Sequence, residues 1–330
     1  MPHLSRRDIL AASLVGGVAT KLGLNPAAAQ SYPTRPVTVI CPAAAGGGTD
    51  AVARIVSTLL ERELGQPINV VNRPGGGTVV GNTAIANAPA DGYTLGVVPV
   101  ELAMMHHLGT TDVGPSNFTP LALMNEDPPA IQVNANSPYK TVADLVAAIK
   151  EKPAGTLKAS GVGQGGIWHI ALVGFELALG VEAGRVRWVP SNGAAPALQE
   201  LASNGVDIVT CSVPEARAMI EGGHVRSLAV MAPQRNPAFP NVPTLKESTG
   251  IDYTTGAWRG VVGPKGLPVD VTEKLSTTLK KVYDSKEFSD FMTSRGFLMR
   301  WADSREFEAF MADSDAKMKK IITAAGLAKS

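Results

Sequence analysis

The sequence predicts an α/β fold of two lobes, because one local design occurs twice along the chain. A short apolar strand, a glycine-rich loop and a helix with an apolar face follow one another at 37–56 and again at 156–179. Between them, the polar and proline-rich segment 125–129 is typical of a connection between lobes. Each repeat therefore predicts the opening of one lobe.

Each of the two glycine-rich loops is predicted to bind an anion. In the first, Gly46, Gly47 and Gly48 leave backbone N–H groups uncovered, and a helix opens directly after them at Thr49 and Asp50. The first turn of a helix adds unpaired N–H groups and the positive end of the helix dipole. The alternative is a tight turn that needs glycine only for its positive φ, and a single glycine cluster leaves both open.

The first lobe continues as alternating strands and helices. Apolar periodicity predicts a strand Val37–Ile40, a helix Thr49–Leu64, a strand Ile68–Val71, a second glycine loop 72–77, a helix 78–88 and a strand Tyr93–Val100. This pattern predicts a mostly parallel sheet flanked by helices, with the glycine loops at one edge because crossovers are right-handed. The segment 104–129 shows no clear period and is predicted to be irregular.

The second lobe is predicted to have the same architecture, a mostly parallel sheet flanked by helices. Its predicted elements are strand 131–133, a helix from Thr141 capped by Asp144, strand 156–159, loop 160–166, helix 167–179, strand 186–189, helix 194–202, strand 206–210, helix 215–221 and strand 225–231. The chain then returns through 254–262, and helices 269–283, 286–295 and 304–325 close it. The predicted lobes are therefore 30–130 plus 255–330 and 131–254.

Residues 1–29 are predicted to be a signal peptide of the twin-arginine type. The run from Ser5 to Leu10 contains Arg6 and Arg7, a short apolar region follows, and small residues end at Ala29 as a cleavage site. The apolar region is too short for a stable membrane anchor. We therefore expect a periplasmic protein that is cleaved near Ala29.

Composition and charge exclude one class of partner. The chain has a formal net charge of +1, and removal of the basic leader leaves the mature part near −1. A protein that binds nucleic acid is expected to carry a basic surplus, so we predict none as a partner. With 45% hydrophobic and 18% charged residues, the chain forms a large core, and we expect a monomer. Cys41 and Cys211 end strands in different lobes and are predicted to be free and buried.

Several sequence blocks, taken together, resemble one protein family. These blocks are, in order, PAAAGGGTDAVAR, NRPGGGTVVGN, ADGYTL, FTPLAL, ASGVGQGGIWH, VPSNGAAPALQELASNGVDIV, VRSLAV and WRGVVGPKGLP. They resemble the tripartite tricarboxylate transporter substrate-binding proteins, also called the Bug family, over essentially the whole mature chain. The resemblance implies a two-lobe periplasmic binding protein of the type II-like fold, with a ligand cleft between the lobes. It also implies a small organic carboxylate as ligand and membrane transporter components as partners, with a signalling sensor as the alternative partner.

The resemblance also implies which residues bind the ligand, largely through backbone amides and water. Mapped onto this chain they are Ala43, Ala44, Ala45, Gly46, Gly47, Gly48, Thr49 and Asp50 in the first loop, Gly163, Gln164, Gly165, Gly166, Trp168 and His169 in the second, and Asn192 beside the cleft. Ala43 stands where the family usually has an aromatic residue, and this smaller side chain should enlarge the site. Gln164 stands where a hydroxyl residue is common.

Three of these residues keep two alternatives each. Trp168 either fills the space beside Ala43 and stacks on a planar ligand, or packs in the core of its helix. Asp50 either contacts ligand or caps its helix, and His169 either bonds the backbone of its loop or touches ligand. On the first alternative for Trp168, we expect a larger, aromatic or dicarboxylic acid rather than a compact amino acid.

An enzyme is the distant alternative. The loop 161–166 satisfies G-x-G-x-x-G, which is typical of dinucleotide sites. Such a site also has an acidic residue at the end of the next strand, but residues 187–190 at that place include none. The chain has no phosphate-binding P-loop, nucleophile elbow or H-E-x-x-H motif. Its histidines and cysteines show no metal-ligand spacing, and the neighbours His106 and His107 are expected on a loop surface. We predict no catalytic residue, no metal and no cofactor.

Overall fold

A computed structural model of the chain describes residues 32–329. The predicted signal peptide lies outside the described residues. Within them, the strands form two separate sheets, one of six strands and one of five. Helices cover both sheets. One buried apolar cluster belongs to the first sheet and another to the second, while a third contains residues of both.

The strands are, in chain order, β1 (Val37–Cys41), β2 (Ile68–Asn72), β3 (Thr94–Pro99), β4 (Phe118–Asp127), β5 (Ala130–Asn134), β6 (Lys158–Ser160), β7 (Arg187–Trp188), β8 (Ile208–Val209), β9 (Val225–Val230), β10 (Ala257–Pro264) and β11 (Met299–Ala302). The α-helices are α1 (Gly48–Leu64), α2 (Val79–Ala86), α3 (Val142–Glu151), α4 (Ile167–Ala178), α5 (Ala194–Ala202), α6 (Val213–Glu221), α7 (Leu245–Thr249), α8 (Val269–Asp284), α9 (Lys286–Arg295) and α10 (Ser304–Ala324).

Both sheets are mixed and flanked by helices, which agrees with the predicted α/β fold class, although only four of the nine strand pairs among residues 32–329 are parallel. The six-stranded sheet has the order β11-β4-β10-β3-β1-β2, and the five-stranded sheet has the order β7-β6-β8-β5-β9. The pairs β1–β2, β1–β3, β6–β7 and β6–β8 are parallel, whereas the others are antiparallel. The cause is the route of the chain, which leaves the first sheet through β4 and returns through β10 in the opposite direction.

Two strands of the first sheet are not evident in the sequence pattern. Strand β4 lies within 104–129, predicted to be irregular, because Asn125 and Asp127 interrupt its apolar run although both are fully buried. It nevertheless has ten residues and pairs with β10 and β11. Strand β11 has only four residues between two helices, which is too short for a period to emerge.

Local sequence signals place the helices well. Helix α1 begins at Gly48 and ends before Gly65, whose φ of 68° provides a left-handed C-cap. Its buried Val52, Val56 and Leu60 face the first sheet, and each such side chain stabilises the fold by roughly 1.5–3 kcal/mol. The predicted capping box of α3 is confirmed, since the Thr141 side chain accepts from the Asp144 N–H, and the Asp144 side chain from the Thr141 N–H.

Strand directions bring both glycine loops to the edges where the chain passes between the sheets. Because β1 and β3 are parallel and β10 is antiparallel to both β3 and β4, the carboxyl ends of β1, β3 and β4 share one edge. The carboxyl ends of β6, β8 and β9 likewise share an edge of the second sheet. The connections 128–129 and 250–256 join these two edges. The first glycine loop follows β1 and the second follows β6.

The two cysteines have the state that the sequence predicts. Cys41 and Cys211 are both buried and free, as predicted, and burial raises the pKa of the Cys41 thiol to about 11.

Among residues 32–329, none of the helices combines the length and the apolar character that crossing a membrane requires.

Candidate functional site

The first glycine loop is held in shape by Asp50. Its carboxylate accepts the Gly46 N–H at 2.9 Å, Arg54 Nε at 3.0 Å and Asn72 Nδ2 at 2.8 Å. Burial acts to raise the pKa of the Asp50 carboxyl, but these hydrogen bonds hold it below its usual value. The Asp50 side chain does not cap the first turn of α1. Its carboxylate instead accepts a hydrogen bond from the loop in front of the helix. Residues 44–47 of that loop are exposed.

A buried arginine lies at the start of α1. Arg259 comes from β10, opposite Pro99 of β3, and only 3% of it is exposed. Its Nε contacts Thr49 Oγ1 at 3.3 Å. Its Nη2 is so close to Gly48 that a Cβ on that residue would lie 2.5 Å away. Glycine at 48 is therefore required by the arginine, not by backbone conformation.

The charge of Arg259 is balanced by a buried carboxylate. Its Nη1 donates to Asp127 Oδ2 at 2.6 Å and to Asn125 Oδ1 at 3.1 Å. Asp127 has no exposed surface and also accepts the N–H of Leu298 at 2.9 Å. A buried ion pair persists when its remaining donors and acceptors are bonded in this way. Within residues 32–329, the side-chain hydrogen bonds of Arg259 use Nε and Nη1.

The second glycine loop is held by His169. Its Nδ1 accepts the Gly165 N–H at 2.9 Å, and its ring lies 4.7 Å from that of Trp188. Burial lowers the pKa of His169 to about 4, so the imidazole is neutral near pH 7 and can accept this hydrogen bond. Leu108 of the 104–109 turn packs against Gly165, whose φ is 82°. The backbone-bonding alternative for His169 thus describes the structure.

A side chain from the first sheet occupies the N-terminus of α4. Glu101 follows β3, and its Oε1 accepts the Ile167 N–H at 3.1 Å. Only 8% of the residue is exposed, and burial raises the pKa of its carboxyl although this bond and the charge of Arg259 oppose the rise. The second predicted anion-binding site, at the N-terminus of α4, therefore already holds a carboxylate of the protein itself, that of Glu101.

The two glycine loops meet one buried group of charges. Thr49 of the first loop contacts Arg259, the charge of Arg259 acts on Glu101, and Glu101 bonds the helix that follows the second loop. The charge of Arg259 also acts on the carboxyl of Glu215, at the start of α6. Burial raises the pKa of the Glu215 carboxyl, and the charge of Arg259 opposes this rise. Neither Arg259 nor Asp127 was among the residues predicted from the sequence. The one signal was a lone arginine inside the apolar run 257–262, since a charge in a buried strand needs a partner.

The other predicted residues divide between core and surface. Trp168 is 4% exposed and packs in the hydrophobic core against Gly161, while its backbone oxygen accepts from Thr210 at 2.6 Å. This position corresponds to the packing alternative. Gln164 and Asn192 are exposed. A cavity of about 830 Å³ lies elsewhere, between 232–237, 254–256 and α10, and none of the predicted ligand-binding residues lines it.

Acid is expected to destabilise the fold through His169. The unfolded chain takes up a proton near pH 6.5, whereas folded His169 does so only near pH 4. As the pH falls through this window the unfolded state binds more protons, so unfolding becomes easier by at most about 3 kcal/mol. Urea unfolding at pH 7 and pH 4.5 measures this loss, and His169→Gln should reduce it. The exposed His224→Gln serves as control; a loss equal in all three proteins would contradict the role of His169.

The two mixed sheets, between which the chain passes twice, form a two-lobe α/β architecture like that of a TctC solute-binding protein from Polaromonas, which is 33% identical with a TM-score of 0.70, covering 88% of this chain and 99% of that one. The sequence model described as "Tripartite tricarboxylate transporter family receptor" matches residues 52–327. The chain belongs to this family, which confirms the resemblance. Its members are solute-binding receptors, so the protein is not an enzyme.

Known relatives extend over nearly the whole chain. A UPF0065 protein in the tcbD-tcbE intergenic region of Pseudomonas sp. strain P51 is 30% identical, covering 90% of this chain and 87% of its own length. A structure from R. palustris with adipate is 28% identical, with a TM-score of 0.81, covering 90% of this chain and 99% of that one. MatC from Rhodopseudomonas palustris with bound malate is 26% identical, with a TM-score of 0.79, covering 88% and 100%. These likenesses confirm the fold class.

Proposed function

We propose that this protein captures a small carboxylate between its two lobes in the periplasm and presents it to the membrane components of a tripartite tricarboxylate-type transporter. The proposed lobes are 30–130 plus 255–330 and 131–254, and residues 1–29 are the proposed export signal. The observation that carries the proposal is the buried Arg259 at the exposed first glycine loop. The carboxylates in the two R. palustris structures support the ligand class.

The ligand carboxylate is proposed to bind at the first loop. The N–H groups of 47–49 and the positive end of the α1 dipole face this loop, and Nη2 of Arg259 lies beside Gly48. A guanidinium nitrogen and backbone N–H groups together bind a carboxylate through charge-assisted hydrogen bonds, which are about twice as strong as neutral ones. The rest of the proposed site is 43–45 with Asp50, the second loop at 163–166 with Trp168 and His169, and Asn192.

The second loop is proposed to select among carboxylates through Glu101. The carboxyl of Glu101 already occupies the N-terminus of α4. A second carboxylate on the ligand would have to share or displace it at a cost in like-charge repulsion. The site therefore favours an acid with one carboxylate and an apolar or aromatic remainder, which the small Ala43 accommodates. In this respect it would differ from the two R. palustris structures, whose ligands malate and adipate are diacids.

Changing Glu101 to glutamine should reverse this selectivity. We expect Glu101→Gln to raise the affinity for dicarboxylates by about tenfold relative to matched monocarboxylates, since removing a like charge from the site is worth about 1.4 kcal/mol or more. Because burial raises the pKa of Glu101, the wild-type discrimination should weaken as the pH falls and this carboxyl takes up a proton. Calorimetry with a monoacid and diacid of equal chain length measures both effects. Equal changes for both acids would contradict the selective role.

Capture is proposed to work by lobe closure without chemistry. The connections 128–129 and 250–256 join the sheets and are the natural hinge. A ligand favours the closed state only through contacts that it makes to both lobes, here the first loop on one side and the second loop on the other. The membrane partner then distinguishes closed from open protein.

A ligand screen tests the proposed function directly. Thermal denaturation of the mature protein should shift upward with aliphatic and aromatic acids, because a ligand at 100 times its Kd stabilises the native state by about 2.7 kcal/mol. The amide of each active acid is the matched control and should have no effect. Tight binding of an amino acid alone, with all simple carboxylates inactive, would contradict the proposal.

A further inference from the structure

Two histidines and an aspartate converge outside the proposed carboxylate site. His106 and His107 lie on the turn that follows β3, and Asp315 lies in α10. Nε2 of His106 is 2.8 Å from Asp315 Oδ1, and Nε2 of His107 is 3.2 Å from the same oxygen. All three donor atoms lie within 4.8 Å of one another. The pair expected on a loop surface thus has a third partner, from a segment 208 positions further along the chain.

The spacing of these atoms is close to that of a tetrahedral metal centre. With zinc to nitrogen and oxygen distances of about 2.0–2.1 Å, tetrahedral donors lie about 3.3 Å apart. The two separations from Asp315 Oδ1, 2.8 and 3.2 Å, are within about half an ångström of that value, and all three ligand atoms lie within 4.8 Å of one another. All three side chains are partly buried, so their positions are set by the surrounding structure rather than by free rotation.

The hydrogen bonds within the cluster leave one ring nitrogen without a partner among residues 32–329. One carboxylate oxygen faces both imidazole Nε2 atoms, although each histidine has two ring nitrogens to satisfy. Nδ1 of His106 is buried and has no hydrogen-bond partner among residues 32–329. The rings of His106 and His107 stand only 3.8 Å apart between centroids. Holding two imidazoles against one another and against one oxygen is the arrangement that a shared cation stabilises.

We propose that His106, His107 and Asp315 bind a divalent transition metal ion, zinc in the first instance. Two imidazoles and one carboxylate are ligands that zinc accepts, and three protein ligands leave the fourth position for water. Such a donor set disfavours calcium and magnesium, which prefer sites made of oxygen atoms. Other first-row ions with affinity for imidazole compete for the same atoms.

Metal binding would fasten the histidine turn to the last helix. Lys329, just beyond α10, already bonds this turn, since its N–H donates to the His107 oxygen at 3.3 Å. Leu108, next to His107, packs against Gly165 of the second glycine loop. A metal ion at this position would therefore reduce motion of a segment that contacts the other lobe. The positive charge of Lys319, near His106 on α10, opposes a cation.

Zinc titration of the tag-free mature protein, after treatment with a chelator, tests the proposal. We expect one Zn²⁺ ion to bind per chain in calorimetry, and Co²⁺ to develop visible absorption typical of low coordination number. His106→Gln, His107→Gln and Asp315→Asn should each weaken binding by at least about tenfold, whereas Lys319→Gln should strengthen it. His224→Gln removes an exposed histidine elsewhere and should leave it unchanged.

The Co²⁺ spectrum is recorded on the wild-type protein, so this part of the test does not depend on whether a variant folds correctly. Circular dichroism of each variant distinguishes loss of a ligand from loss of the fold. The proposal is overturned by the absence of saturable Zn²⁺ and Co²⁺ binding to the wild-type protein, and equally by binding that persists in all three ligand variants.

Discussion

Replacing Arg259 with methionine is expected to weaken carboxylate binding by about 10- to 100-fold, the value of hydrogen bonds to a charged group. It should also lower the free energy of unfolding by about 3–5 kcal/mol, because the carboxylate of Asp127 would then be buried without a counter-charge. Asp127 has no exposed surface, and its bond to Arg259 is 2.6 Å long. Calorimetry and urea unfolding measure the two effects separately.

The partner variant separates charge from packing. Asp127→Asn should also destabilise the fold, but it leaves a buried positive charge at the first loop and should therefore raise the affinity for anions. The double variant Arg259→Met with Asp127→Leu should recover stability without recovering binding, since a buried ion pair can be replaced by apolar groups. Arg35→Met removes a largely exposed arginine and is the matched control. Equal carboxylate affinity in Arg259→Met and wild type would refute the role of Arg259.

Adding one methyl group at Gly48 is expected to disable the first loop. A Cβ there would lie 2.5 Å from Arg259 Nη2 and 3.1 Å from its Cζ. The guanidinium cannot yield easily, because Asp127 and Asn125 hold its other side. Gly48→Ala should therefore cost about 1–3 kcal/mol of stability through overpacking and should reduce carboxylate affinity by displacing the guanidinium.

The neighbouring glycine supplies the control for this prediction. Gly47 has φ of −82° and ψ of 175°, which alanine adopts freely, and a Cβ there would meet only the Ala44 oxygen at 3.6 Å. Gly47→Ala should thus leave stability nearly unchanged. Thermal unfolding and calorimetry of both variants make the comparison. If both behave alike, the requirement for glycine at 48 does not come from Arg259.

Local features of this fold could be predicted from sequence because their causes are local. The capping box of α3 involves Thr141 and Asp144, three positions apart, and α1 has a continuous apolar face that ends at Gly65. The order of strand, glycine loop and helix likewise identified both loops. The family resemblance then supplied the two-lobe architecture, which periodicity alone suggests only weakly.

The charged group at the site could not be predicted in the same way, because its contacts are distant in sequence. Arg259 and Asp127 are 132 positions apart, and Glu101 and Ile167 are 66 apart. They meet only through the register of β10 against β3 and β4 and through contact between the lobes. The buried polar residues of β4 also interrupt the period by which that strand would be recognised.

A crystal structure of the mature protein with the tightest-binding carboxylate tests the central proposal most directly. The proposal predicts that the ligand carboxylate lies within about 3 Å of N–H groups of 47–49 and of Arg259 Nη2, with the remainder of the ligand against the second loop. A ligand seated instead in the cavity of about 830 Å³ beside α10, with both glycine loops empty, would contradict it.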